Sequence, residues 1–193
     1  LDAPTIRQKL SRYIDLEEGE AGFFLSLLKT GHIKKRKFLL LSGDVCPYFT
    51  LVTDGCLMNY YTDDNGFEHV LQFATHMWWT ADLESLMKGA PALFSIQALA
   101  DTEVLMLSRA NLERLYDQSP KFERYFRIIF QNALMAHQQR IIQNIAFPAE
   151  ERYLQFREKY GYLEQIVPQK YIASYLGVTP EFLSKVRKRL ARK

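Results

Sequence analysis

At 193 residues, 48% of them apolar, and with a formal net charge of +3, the chain is long enough to bury a sizeable core in one domain or two. No apolar run approaches the roughly 18 residues of a membrane span and no signal-peptide pattern opens it, so a soluble, cytoplasmic protein without a membrane partner is expected. Two cysteines, Cys46 and Cys56, are too few for a disulfide framework and lack metal-ligand spacing.

Residues 3–29 place Ile6, Leu10, Tyr13, Ile14, Phe23, Phe24, Leu27 and Leu28 at helical spacing, which predicts one or two helices. Lys34-Lys35-Arg36-Lys37 then leads into an apolar run, Phe38 to Leu41. The basic run reads as a solvated strand entrance more readily than as a nucleic-acid patch. From 38 to about 107 the period changes to two, and turn signals recur at Ser42-Gly43-Asp44, Asp54-Gly55 and Asp63-Asp64-Asn65-Gly66. Many short strands with tight turns suggest a jelly-roll or small barrel. Within it, Thr80 to Met87 reads as a short helix, and a last hairpin turns at Asp101-Thr102.

Helices follow. Ser108 can cap one running through Tyr116, and Ser119-Pro120 opens a longer one to about Ile145, close to 40 Å at about 1.5 Å per residue. It carries Phe122, Phe126, Ile129, Ala133 and Ala136 on one stripe and Phe130, Leu134, Ile141 and Ile145 on a second. Two stripes need two partners: one packs on the β-rich unit, and the first is expected to pair with the same helix of a second chain, making a homodimer. A hinge near Pro148 leads to a helix from Glu150 to Tyr160.

Charge is unevenly spread. Residues 150–193 hold ten Lys and Arg against five Asp and Glu, leaving fifteen against seventeen for the rest. There, Val167 to Leu190 reads as two helices joined at Gly177, with Thr179 capping the second and Pro180 at its first position. Leu183, Val186 and Leu190 share one side of that helix; Glu181, Ser184, Lys185 and Lys188 share the other. A basic face of this width fits a major groove of double-stranded DNA. The expected roles are base reading by Glu181, Ser184 and Lys185 and phosphate contact by Thr179, Arg187, Lys188 and Arg189.

This order of elements, with Glu181-Phe182-Leu183-Ser184-Lys185 similar to the Glu-x-x-Ser-Arg reading motif of the Fnr branch, resembles the Crp/Fnr family of bacterial transcription regulators. Lys185 stands in place of the motif's arginine. The resemblance implies an α+β chain: an N-terminal double-stranded β-helix or jelly-roll domain of the cyclic-nucleotide-binding type over 1–118, a dimerisation helix and hinge over 119–147, and a winged-helix-type helix-turn-helix domain over 148–193. It also implies RNA polymerase as a partner. In members that bind cyclic AMP, a Gly-Glu-Leu begins the embedded helix and an arginine ten residues after the glutamate neutralises the phosphate. The matching residues are Ala81-Asp82-Leu83 and Ala92, so cyclic AMP is not expected. Neither is an iron–sulfur cluster, since the N-terminal cysteines are missing, nor haem. Trp78, Trp79, Asp82 and Glu84 frame a pocket for an unidentified small-molecule effector, apolar or cationic; alternatively Trp78 and Trp79 are plain core, and the roll is only a scaffold for dimerisation.

The same roll also serves metal-dependent enzymes that need a His-x-His pair. His32, His69, His76 and His137 offer no such pair, and no catalytic constellation or metal site emerges, so the expectation is a protein that is not an enzyme. A ligand-binding or interaction module that does not touch DNA is the alternative.

Overall fold

A computed structural model describes residues 3–190. Two helices lead, α1 (Ala3–Leu10) and α2 (Glu18–Ser26). Eight strands follow: β1 (Leu28–Ile33), β2 (Phe38–Leu40), β3 (Tyr48–Asp54), β4 (Leu57–Thr62), β5 (Glu68–Ala74), β6 (Trp79–Thr80), β7 (Ser95–Ala98) and β8 (Thr102–Ser108). The short helix α3 (Leu83–Lys88) lies between β6 and β7. They form two antiparallel four-stranded sheets, ordered β1-β8-β3-β6 and β2-β7-β4-β5. Then come α4 (Arg109–Gln118), α5 (Lys121–Ala146), α6 (Ala149–Tyr160), a 3-10 turn (Gly161–Gln165), α7 (Gln169–Tyr175) and α8 (Pro180–Leu190). No strand follows β8 among the described residues.

The α+β architecture is the one expected, with a shift near the start and without the strands of a wing after β8 among the described residues. The helical pattern continues on paper through Leu28, but α2 stops at Ser26 and β1 begins at Leu28, paired along its length with β8. Only Leu28 and Ile33 give β1 an apolar signal. Its strongest mark is Gly31, where a side chain would come within 2.7 Å of Met106 Cε on β8. The basic run from Lys34 is therefore the turn between β1 and β2, held by Arg36 at φ +68° and its N–H to Ala98 O at 2.7 Å.

Two cores result. The first fills the space between the sheets and reaches up to α1, α2, α4 and α5, with Phe49, Leu51, Leu57, Trp79 and Leu107 meeting Phe24, Phe122 and Phe126. The second lies on the outer face of the β4–β5 sheet, where Cys56, Met58, Tyr60, Val70 and Phe73 meet Tyr153, Phe156, Ile172, Ala173 and Leu176 from the C-terminal helices. All of Leu57 to Tyr60 is buried for this reason: one face of β4 looks into the roll and the other is covered by α6 and α7.

The long helix corrects the expected pairing surface. Phe122 and Phe126 are wholly inside the subunit's own core, 0% and 1% exposed, Ile129 packs against that core, Ala136 is half-buried, and of this stripe Ala133 alone stands clear in solvent. Leu134, Ile141 and Ile145, from the stripe assigned to the roll, are 60%, 58% and 81% exposed. The reason is geometric. The aromatic half of α5 lies over Phe49 and Trp79, and aromatic stacking there fixes the rotation of the whole helix.

Candidate nucleic-acid interface and sensor cassette

The turn between α7 and α8 is closed by its own backbone. Val178 N–H donates to Ala173 O and Gly177 N–H to Ser174 O, both at 3.0 Å, with Gly177 at φ +65°. These are the two bonds that end a helix on a left-handed glycine. Thr179 Oγ1 then accepts the Phe182 N–H at 3.2 Å, starting α8 as an N-cap. Leu183 and Val186 enter the second core and orient the helix.

The opposite face of α8 presents Glu181, Lys185 and Lys188, all exposed and without a partner within the described chain. Ser184 is half-buried on one flank. The two arginines are engaged elsewhere: Arg189 pairs with Glu150 at the start of α6, and Arg187 Nη1 donates to Gln169 Oε1 at 3.3 Å, with its Nε 4.0 Å from Glu164. Of the seven residues expected at DNA, three thus form a free face, Ser184 borders it, and Thr179 sits at its start with the hydroxyl committed to the cap. Phe182 was missed. It is 46% exposed on the Lys185 side of the helix, and its place one residue before Leu183 turns it away from the core.

The four residues expected around an effector do not converge. Trp79 is core, stacked on Phe49 at 4.7 Å and donating its Nε1–H to Tyr125 Oη at 2.9 Å. Trp78 meets Tyr160 edge-on and lines a cleft with Asp54, His76, Asp101 and Tyr162, between the roll and the 3-10 turn. Glu84 is in solvent, bonded to Lys88 one turn along α3. Asp82 is 4% exposed, and its carboxylate accepts two backbone N–H groups, Ser85 at 3.0 Å and Leu93 at 2.9 Å.

Those two bonds tie both ends of the segment that begins at α3. Ser85 Oγ donates to Ala90 O and accepts the Cys46 N–H at 2.8 Å, while Gly43 N–H donates to Ala92 O at 2.8 Å. Ala92, at the position where the resemblance places arginine, is 3% exposed. The segment is held shut by the protein's own groups, and a carboxylate, not a guanidinium, lies at its centre. Burial pushes both thiols up, Cys56 to about 12, so neither is a thiolate at neutral pH. Among the described residues no cluster of His, Cys, Asp and Glu could hold a metal ion, and no helix is long and apolar enough to cross a membrane.

Residues 30–119 match the cyclic nucleotide-binding domain family. No curated protein matches the sequence. Among solved structures, FixK2 from Bradyrhizobium japonicum is 17% identical with a TM-score of 0.74, over 86% of this chain and 85% of that one. The c-di-GMP responsive global regulator CLP of Xanthomonas campestris is 15% identical with a TM-score of 0.73, over 91% and 92%. A Crp/Fnr transcriptional regulator from Eubacterium rectale is 20% identical with a TM-score of 0.70, over 94% and 86%. With residues 30–119 matching the cyclic nucleotide-binding domain family and the likeness to these structures running over most of the chain, the chain has the fold of the Crp/Fnr regulators.

Proposed function

We propose that this chain is a dimeric, sequence-specific DNA-binding transcription regulator whose sensor domain does not take cyclic AMP. The observation that carries the reading is the outward face of α8, where Glu181, Lys185 and Lys188 stand exposed and, among the described residues, unpaired, while Leu183 and Val186 anchor the opposite side. A helix fixed by its apolar side and charged on the other suits major-groove entry. Lys185 supplies a point charge to a guanine edge, Glu181 accepts from a cytosine amino group, and Lys188 meets phosphate. Arg189 reaches phosphate by exchanging Glu150 for it.

Two such helices must lie about 34 Å apart to read successive turns of the duplex. Pairing along the exposed Leu134, Ile141 and Ile145 stripe of α5, with Met135 and Ile142 exposed beside it, supports a two-fold arrangement, because these apolar side chains are left uncovered on the subunit. The sensor reading rests on Asp82: a carboxylate bonded to Leu93 N–H beside Ala92 repels a phosphate and offers it no cation.

The test is a gel shift against the DNA upstream of the protein's own gene and against random duplex, at two salt concentrations. Affinity for both should fall steeply with salt while a preference for the upstream duplex persists. Equal and weak binding to both at low salt rejects the regulator reading.

A further inference from the structure

β5 is the outer strand of its sheet, and strands in that position carry a row of backbone groups with no ladder partner. Here the row is filled by side chains from the DNA-binding helices and from α5. Ser174 on α7 accepts the Val70 N–H on its Oγ at 2.9 Å and donates the hydroxyl to Glu68 O at 2.7 Å. Arg140 on α5 donates to Val70 O at 2.8 Å and to Leu71 O. The register explains why Leu71 O is free. Asn59 pairs with Gln72 and Tyr60 with Val70, so Leu71 is the extra residue of a bulge, the place where a ladder leaves a backbone group over.

Arg140 is unusual in what it lacks. Among the described residues its guanidinium meets no carboxylate and its buried Nε finds no partner, and its Cζ lies 4.3 Å from the ring centroid of Tyr175. Tyr175 is the last residue of α7, the helix that carries the turn into α8. One side chain therefore touches the sensor sheet, the long helix and the DNA-binding pair. A buried charge without a counter-ion is a poor source of stability, and burial holds its pKa below the ordinary arginine value. What it does supply is direction, since a planar fork gripping two adjacent carbonyls while stacked on a ring admits a narrow range of geometries.

We propose that Arg140 is the positioning residue that fixes the DNA-binding helices against the β5 bulge, and that this dock sets the orientation in which α8 reads DNA. The second half rests on the DNA-binding reading above; the first does not. Specific binding needs both reading helices held in register, whereas attraction to phosphate tolerates a loose domain. Undocking therefore separates the two.

The experiment compares the full chain with Arg140→Lys, which keeps the charge and loses the fork, and Ser174→Ala, which removes the acceptor of the Val70 amide. Hydrogen exchange is read residue by residue on the free protein. In both variants Val70 should exchange about ten-fold faster or more, with Leu51 and Leu105 in the centre of the other sheet unchanged, as expected of a local opening. Binding to the upstream duplex should weaken about ten-fold while affinity for random duplex and the salt slope hold. Unchanged exchange at Val70 in a folded Arg140→Lys protein overturns the dock, and so does a rise shared equally by Leu51 and Leu105, which marks general destabilisation. If Val70 responds and upstream binding does not, the dock stands and its role in reading falls. A wild-type protein without preference for the upstream duplex removes the DNA-binding reading and leaves the exchange result to decide the dock.

Discussion

The backbone N–H of Leu93 donates to the carboxylate of Asp82, eleven positions earlier in the chain, at 2.9 Å. This bond and the companion one to Ser85 N–H use both carboxylate oxygens. Asp82→Asn can keep only one of them, because its amide nitrogen would face another donor. The loss of a buried acceptor should destabilise the protein by about 1 to 3 kcal/mol, read as a lowered midpoint of denaturant unfolding.

The same geometry argues against rescue of cyclic AMP binding by a single change. Ala92→Arg restores the cation that the family's motif supplies, yet Asp82 remains beside it and forms an ion pair with the new guanidinium. Millimolar cyclic AMP should leave the Tm of the wild type and of Ala92→Arg unshifted, since a ligand that binds only the folded state must raise it. A concentration-dependent rise in the wild type would show the cassette open after all.

On α8, Lys185 and Arg189 differ in their surroundings, and their substitutions should differ in kind. Lys185 is exposed and unpaired among the described residues, whereas Arg189 is held by Glu150. Lys185→Ala should relax preference at one base pair at a cost of about 1 to 3 kcal/mol. Arg189→Ala should weaken every duplex alike and shrink the salt slope by about one. Competition with single-base variants of the upstream duplex measures the first, and a salt titration the second. The same behaviour from both substitutions would refute the division of roles.

How much of this was legible in the sequence follows from which forces are local. Thr179, Pro180 and Gly177 act on their own neighbours, so the helix pair could be read residue by residue, as could the cap at Ser108. The rotation of α5 is not local. Both its stripes are apolar, and which one meets the roll is decided by Phe49 and Trp79, more than forty residues away in sequence. The effector pocket failed for a related reason: Trp78 and Trp79 are adjacent on paper, but Trp79 begins β6 and stacks on Phe49, whereas Trp78, just before the strand, meets Tyr160. Arg140 gave no signal, because an arginine on a long helix ordinarily lies in solvent, and the bulge that recruits it appears only once β4 and β5 are paired.

That rotation can be checked by two substitutions with opposite outcomes. Ile141→Glu combined with Ile145→Glu places charge on residues 58% and 81% exposed in the subunit, so it should abolish pairing and leave subunit stability within about 0.5 kcal/mol. Phe126→Ala empties a fully buried site among Phe49, Trp79, Tyr116 and Tyr125 and should cost about 3 to 5 kcal/mol. Sedimentation gives the oligomeric state and denaturant titration the stability. A stable monomer from Phe126→Ala would return the pairing surface to the stripe first expected.

Where α4 meets α5, a pH dependence follows from Glu20. Its burial favours protonation, but hydrogen bonds from Lys121 Nζ at 2.8 Å, the Glu17 N–H at 2.9 Å and Ser119 Oγ at 2.9 Å outweigh it and hold the carboxyl below its ordinary 4.5. A carboxylate with a lowered folded pKa binds fewer protons in the native state than in the unfolded one. Its contribution is therefore complete above pH 4.5 and disappears as the pH falls through the folded value. Glu20→Gln keeps the shape and removes the charge, so its stability should lag the wild type at neutral pH and converge on it in acid. Denaturant unfolding of both proteins between pH 7 and pH 3 reads the difference directly, and a gap that stays constant across that range would show that the bonds to Ser119 and Lys121 do not depend on the charge of Glu20.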